Sequence, residues 1–306
     1  MIIESILANT VMMSTPLMIG ALAEVFVERT GVMNIAIEGT FLIGAWAGFV
    51  GTYMTGSLVL GLVSAVLAGL LTGALYGYIT VYLKQHQIVT GTAINILAPG
   101  LALYLYRVFF GVPLLPLQVD LLPTIAIPVL SDLPVVGKAF FNQNILTYLA
   151  FALIAAGFWV LFRTRTGLIL RSTGANPEAV DAAGINVERV RFGTVLFSSA
   201  MDGLAGAFYS LGFLGLFTEN IIGGRGWIAF AICFLGNWNP AGVLVGALVF
   251  GLADALSIVI RTSGVVAIPN EFVIAFPYIV TIIATIARRR FNVPAYLGIS
   301  YVKEGR

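Results

Sequence analysis

Apolar stretches punctuated by short polar clusters dominate the chain. Residues 39–83 carry no charged side chain at all. At roughly 20 apolar residues per helical crossing, that run fits two spans joined by a tight turn. With charges and turn residues as boundaries, the pattern predicts spans at 5–22, 36–56, 58–83, 88–106, 145–162, 192–217, 226–236, 241–260 and 271–287. The stretch 226–236 is about half the usual length and at about 1.5 Å per residue cannot cross alone. It either borrows flanking residues or forms a broken, half-crossing helix. Strict apolar–polar alternation, which outer-membrane barrel strands require, is missing. The fold class is therefore all-α: a polytopic transmembrane helix bundle of roughly eight to ten spans with broken or half-crossing helices.

Composition narrows the function. Of 306 residues, 59% are hydrophobic and 10% charged, against about a quarter charged in soluble domains. This leaves no room for a large soluble catalytic domain, so residues 1–306 read as one transmembrane domain. The net charge of +2, with no basic run interleaved with aromatics, gives no footprint for nucleic acid. Residues 5–22 read as a retained span, since Glu4 stands where a signal peptide would be basic. The single cysteine, Cys233, excludes an intrachain disulfide, and with His86 as the one histidine no multi-ligand zinc site can be built. No G-x-S-x-G or H-E-x-x-H motif offers hydrolase chemistry. A transport subunit, not an enzyme, is the class that survives.

Orientation follows from basic residues, which concentrate in cytoplasmic loops. The loop at 163–191 carries Arg163, Arg165, Arg171, Arg189 and Arg191, and the tail at 288–306 carries Arg288, Arg289, Arg290, Lys303 and Arg306. Both are expected in the cytoplasm, which puts the proline-rich segment 107–144 outside as an extended cap and the N-terminus outside as well.

The 163–191 loop contains RSTGANPEAVDAAGINVERVR. Asn176 suits a helix N-cap and Pro177 the first helical position. Glu178 complements the helix dipole, and Gly184 supplies the stop. A helix of about seven residues is too short to stand alone. It is either a capped connector or a cytoplasmic coupling helix that takes force from a soluble motor, with Asn176, Pro177, Glu178, Asp181 and Gly184 as the contact residues. The chain has no G-x-x-x-x-G-K-[ST] phosphate loop. If transport is ATP-driven, ATP and Mg belong to another polypeptide, and no cofactor is expected on this chain.

Two stretches put glycine and polar groups where continuous helix would be expected: ERTGVMNIAIEG from Glu28 to Gly39 and TENIIGGRGWIAFAICFLG from Thr218 to Gly236. Interrupted segments in corresponding halves of a transporter point to a pathway near mid-depth. Charged residues at depth face a cavity or a partner. Glu24, Glu38, Asp202 and Asp254 are the carboxylates, and Asn34 and Asn95 the amides, that this applies to. They either pair with one another and cap freed backbone, or they face substrate. The pathway residues on the second reading are Asn34, Glu38, Asn95, Asp202, Phe213, Glu219, Arg225 and Trp227. Phe208, Tyr209, Phe213 and Phe217 recur at near-helical spacing, as core packing or as a stacking platform for an aromatic cargo. A proton-coupled carrier using Asp202 and Asp254 is the rival from another class.

Six stretches in order carry a resemblance: Glu28–Gly39, Gln87–Leu97 (QIVTGTAINIL), Asn176–Val187 (NPEAVDAAGINV), Thr218–Ala229 (TENIIGGRGWIA), Gly236–Val243 (GNWNPAGV) and Gly251–Leu256 (GLADAL). Together they resemble permease subunits of bacterial ABC importers in the branched-chain amino acid and simple-sugar permease superfamily, in the nucleoside-uptake branch that works with basic-membrane-protein-type lipoproteins. The resemblance implies alternating access and inward transport of a purine-type nucleoside, with riboflavin or a simple sugar as the alternative cargo. It implies a second permease subunit that is not identical, an ABC ATPase docking around Asn176–Gly184, and an extracytoplasmic substrate-binding lipoprotein. It also implies a multi-pass protein of the bacterial cytoplasmic (inner) membrane with a cytoplasmic C-terminus. Asp202, in SSAMDGLAGA, departs from the small apolar residue expected there.

Overall fold

The computed structural model describes residues 2–134, 136–263 and 291–302, with isolated helical positions between 275 and 286. The predicted span 271–287 and the basic residues Arg288, Arg289, Arg290, Lys303 and Arg306 lie outside the described residues, or within them only at those isolated positions.

The chain is a helix bundle built around α1 (Ile2–Glu28). Its most apolar window is 94% buried inside the protein, because α6 (Ile145–Arg163), α9 (Val187–Ala207), α10 (Arg225–Leu235) and α11 (Pro240–Ser263) all pack on it. A helix shielded from lipid can carry polar groups if they are satisfied internally. Ser14 and Thr15 donate to the carbonyls of Thr10 (2.6 Å) and Val11 (3.1 Å). Burial also explains why α1 runs past the predicted end at residue 22: Glu24 and Glu28 find protein partners and do not end the span.

A second layer joins α2 (Ile37–Thr55) and α3 (Leu58–Gly77) to α9. Gly56, at φ +67°, turns the chain between α2 and α3. Gly44 of α2 and Gly69 of α3 both lie against Gly203 of α9, so tightly that a methyl group at any of the three would run into facing backbone. Without water to drive helices together, such close approach and dispersion hold them. The helix α4 (Gln87–Phe110) lies on the flank of α2. Leu71 of α3, Ile96 of α4 and Trp159 of α6 point outward, as lipid-facing positions should.

At one end, residues 111–144 form the predicted cap, but not wholly extended. A short hairpin pairs β1 (Thr124–Ala126) antiparallel with β2 (Asn142–Asn144), around a short helix, α5 (Val136–Phe141). The cap is tied to the bundle by Val119 N–H donating to Gly215 O and Leu122 N–H to Leu211 O, both 2.8 Å. At the other end, the 163–191 loop holds more helix than expected. Thr164 caps α7 (Arg165–Ala175) by accepting from Gly167 N–H at 3.2 Å, so the stretch after α6 turns and continues helically. The next helix, α8 (Pro177–Ala182), is the expected short one.

Among the described residues, five helices are long and apolar enough to cross a membrane by length and composition. The helices α2 and α9 are also span-length, at 19 and 21 residues, but are buried against neighbours. Where 192–217 was predicted, α9 begins at Val187, capped by Asn186 accepting from Arg189 N–H (2.8 Å), and passes into a π-helical turn at Phe208–Leu214.

Candidate translocation site at two broken helices

The chain between α1 and α2 does not leave the bundle. Thr30 and Gly31 close a turn on Val27 and Glu28, and Gly31 takes φ +90°. Residues 32–34 then run back, non-helical, into the protein before α2 starts. Exposed backbone at such depth needs partners, and side chains of two other helices supply them. Gln87 accepts from Met33 N–H at 2.8 Å, and Tyr76 donates its hydroxyl to Met33 O. Asn95 donates to Ile35 O at 2.7 Å and accepts from Gly39 N–H at 2.8 Å. Asn95 is eight residues into α4, about 12 Å at 1.5 Å per residue, which sets how deep α2 begins.

Inside this break lies a closed polar cluster. Asn34 Nδ2 donates to Glu24 Oε1 and Asp202 Oδ2, both at 3.0 Å, and approaches Ser198 Oγ at 3.4 Å. All four residues are fully buried. One oxygen each of Glu24, Asn34 and Asp202 has no hydrogen-bond partner. Four residues along α1, Glu28 accepts from the Trp238 indole and lies 3.7 Å from Cys233 Sγ. Polar groups buried to this extent are held for specificity or switching more than for stability.

The second break precedes α10. Eleven residues span about 16 Å, half a crossing, and the chain before them, from Gly215 to Gly224, is non-helical. Gly224 at φ +85° starts the helix. Glu38, in the first turn of α2, fills this helix N-terminus: its Oε1 accepts from Gly224 N–H at 2.8 Å and its Oε2 from Gly226 N–H at 2.7 Å. Free N–H groups and the helix dipole favour an anion there. Gly226 is obligatory because a Cβ would sit 2.7 Å from Glu38 Cα. Beside it, Arg225 pairs with Asp254 at 3.4 Å, donates to Ile222 O at 3.2 Å and lies 5.5 Å over the Tyr209 ring. Two broken helices thus meet start to start, bridged by one carboxylate.

Of the predicted pathway residues, the structure brings Asn34 and Asp202 into one cluster, and Glu38 and Arg225 into the adjoining junction, with Asn95 supporting α2 from the side. The remaining three lie apart. Phe213 packs against the cluster that holds Leu122 and Phe208, Glu219 is exposed in the 215–224 segment, and Trp227 is 41% exposed, its ring near-perpendicular to that of Phe230. Sequence reasoning missed Ser198, Tyr76 and Trp238, although Ser198 and Trp238 lay in stretches quoted for other residues. An open groove of about 310 Å³ lies elsewhere, between α2, α3 and α4, lined by Ile43, Trp46, Leu71, Leu75, Leu97 and Leu101 among others. None of the pathway residues lines it. Among the described residues no cluster of His, Cys, Asp and Glu could hold a metal ion.

At the α7/α8 end, Asn176 accepts from Ala179 N–H at 3.0 Å. Gly184 at φ +82° closes α8, with Gly184 N–H on Asp181 O (2.9 Å) and Ile185 N–H on Val180 O (3.2 Å). That double bond pattern is a Schellman stop. Pro177 and Val180 face inward, while Glu178, Ala179 and Gly184 are exposed and Asp181 is half-buried.

A multi-pass bundle whose two interrupted helices meet at depth, with a short capped helix presented at one end, is a membrane permease, a transport component and not an enzyme. The chain belongs to the family described as branched-chain amino acid transport system / permease component, which it matches over residues 6–285. It is similar to the nucleoside ABC transporter permease NupC of Lactococcus lactis, 36% identical over 98% of each chain. It is equally similar to the guanosine ABC transporter permease NupQ of Bacillus subtilis, 36% identical over 100% of this chain and 98% of that one. A putative glucose ABC transporter permease of Haloferax volcanii, TsgC13, is 34% identical over 87% of this chain and 80% of its own. A second permease from each of the first two organisms, NupB and NupP, matches less well, at 24% and 28%.

Proposed function

We propose that the chain is the translocating subunit of an ATP-driven importer that moves a purine-type nucleoside inward by alternating access. The observation that carries this reading is the 36% identity, along essentially the whole chain, to two permeases named for nucleoside and guanosine transport. The mid-depth junction fits such a route. Glu38 and the Asn34 cluster close the bundle in this state, and opening requires the two broken helices to part. ATP on the motor and cargo at the junction must favour different states for hydrolysis to drive transport.

The partners follow the same reading. The chain matches one nucleoside permease of each organism at 36% and the other at 24% or 28%, which supports pairing with a second, non-identical permease. An ABC ATPase carrying ATP and Mg docks on α8 from the cytoplasm, where the basic 163–191 loop and the C-terminus lie. A lipoprotein delivers cargo from outside the bacterial cytoplasmic membrane. Family membership favours this machinery over a proton-coupled carrier, and Asp254, one of that carrier's two carboxylates, is paired with Arg225. The relative named for glucose favours a sugar as the second cargo.

Gentle solubilisation followed by mass spectrometry of the co-purifying proteins and small molecules tests all levels together. An ATPase, a different permease and a bound nucleoside are expected. A bound sugar keeps the machine and changes the cargo, and a homodimer reproducibly without ATPase overturns the proposal. In the reconstituted complex, Asp181→Arg is expected to separate ATP hydrolysis from guanosine uptake while the protein stays in the membrane. Normal uptake by that variant removes α8 as the docking helix.

A further inference from the structure

The segment 291–302 lies across the α7/α8 end of the bundle, and its hydrogen bonds reach four parts of the chain that are distant in sequence. Asn292 N–H donates to Asn237 Oδ1 at 2.7 Å, in the turn between α10 and α11. Tyr296 N–H donates to Gly174 O at 2.9 Å, in the last turn of α7. Gly298 N–H donates to Gly31 O at 3.0 Å, in the turn that starts the re-entrant segment. Ile299 O accepts from Arg191 Nη1 at 2.8 Å, and the same guanidinium donates through Nε to Thr30 O at 3.0 Å. Arg29 completes the ring by donating to Trp238 O at 2.9 and 3.0 Å.

We infer that residues 291–302 and Arg191 form a coupling strap that positions the re-entrant segment 29–36 relative to α7 and α8. Two residues separate Gly174 from the start of α8, and two separate Gly31 from Asn34. A displacement of α8 therefore has a short, bonded route to the polar cluster: through the end of α7, across the strap to Gly31, and down to Asn34. Gly174 also lies directly against Arg29: a Cβ there would come within 2.3 Å of the Arg29 carbonyl oxygen. Most of the contacts are to backbone, so they transmit position and not charge. Arg191 suits this role because its planar guanidinium carries donors in a fixed fork and can hold two carbonyls at once. It is 98% buried, at 2% exposure, so its donors act in a low-dielectric setting. A lysine, with one ammonium on a flexible stem, cannot hold both carbonyls in the same geometry. Arg191 is a positioning residue: it touches neither the cargo nor the cluster.

This inference rests on the ATP-driven reading above. Both are tested in the complete complex, purified with its partner subunits and reconstituted into liposomes, by measuring ATP hydrolysis and labelled guanosine uptake on the same samples. Wild type without ATP-dependent uptake overturns the transport reading and the strap with it. With wild type active, Arg191→Lys is expected to keep hydrolysis while uptake per ATP falls about tenfold, within the range of ordinary coupling energies. Asn237→Gly removes the acceptor for Asn292 while keeping the φ of +59° that glycine tolerates, and is expected to lower the same ratio to a lesser extent. Complex yield stays near wild type in both; the thermal midpoint falls in Arg191→Lys, which loses a buried hydrogen bond, and stays near wild type in Asn237→Gly. Hydrolysis and uptake falling in proportion, or an unchanged ratio, overturns the strap. If Arg191→Lys does not assemble, the ratio in Asn237→Gly decides alone.

Discussion

Replacing Glu38 by glutamine tests the junction between the two broken helices. The substitution keeps the side chain's length and shape and removes its charge. As Glu38 stands, both carboxylate oxygens are used, on Gly224 N–H at 2.8 Å and Gly226 N–H at 2.7 Å. Glutamine keeps one acceptor and turns an NH₂ group toward the other amide, so one charge-assisted bond is lost and two donors face each other. A hydrogen bond to a charged group contributes about 1.5–3 kcal/mol. At ~1.4 kcal/mol per factor of ten, local opening around Gly224–Gly226 becomes about 10- to 150-fold more populated. Hydrogen–deuterium exchange of peptides covering 220–230 reads this directly, because those amides exchange only when the junction opens. Exchange in Glu38→Gln is expected to accelerate by that factor, with little change in the distant hairpin at 124–126 and 142–144. Acceleration below about twofold, which corresponds to less than ~0.5 kcal/mol, refutes the junction as the element holding α10 in place.

Two further substitutions probe the surroundings. Asp202→Ala removes an acceptor from the fully buried Asn34 amide and is expected to cost about 1–3 kcal/mol, seen as a lower thermal midpoint of the solubilised complex. A shifted guanosine Kd at unchanged midpoint instead places Asp202 on the cargo. Gly203→Ala drives a methyl group into the Ala65 carbonyl and is expected to destabilise by about 1–3 kcal/mol, read from the same melt. An unchanged midpoint refutes the close packing of α3 on α9.

What the sequence made legible was local. The start and stop of α8 follow from Asn176, Pro177 and Gly184, each acting within a few residues. The breaks at 28–39 and 218–236 follow from glycine and polar side chains in apolar runs. What was not legible depends on contacts between distant residues. Ser198 and Asp202 reach Asn34 across 164 and 168 positions, and no local pattern marks Ser198 among the other hydroxyls. The near-helical spacing of Phe208, Tyr209, Phe213 and Phe217 leaves packing and a stacking platform both open. The π turn at Phe208–Leu214 changes that period and sends Phe213 to the cluster around Leu122, while Tyr209 and Phe217 join the central core. The helix α7 was missed because its N-cap, Thr164, lies between two arginines that marked the segment as a polar loop.

The position of α1 has a consequence for how the protein is made. Among the candidate spans it is the most enclosed, yet α9, α10 and α11, which enclose it, are synthesised long after it, and Trp238 follows Glu28 by 210 residues. At roughly 5–20 residues per second, ribosomal synthesis leaves a gap of about 10–40 seconds between Glu28 and its indole partner. During that interval Glu28 lacks its indole partner, and Glu24 has only Asn34, ten residues on, to meet it. A carboxylate at bilayer depth is costly, so the nascent helix must wait beside the insertion machinery or near the headgroups. Final burial of α1 is therefore a late, post-insertion event, when α9 and α10 close around it.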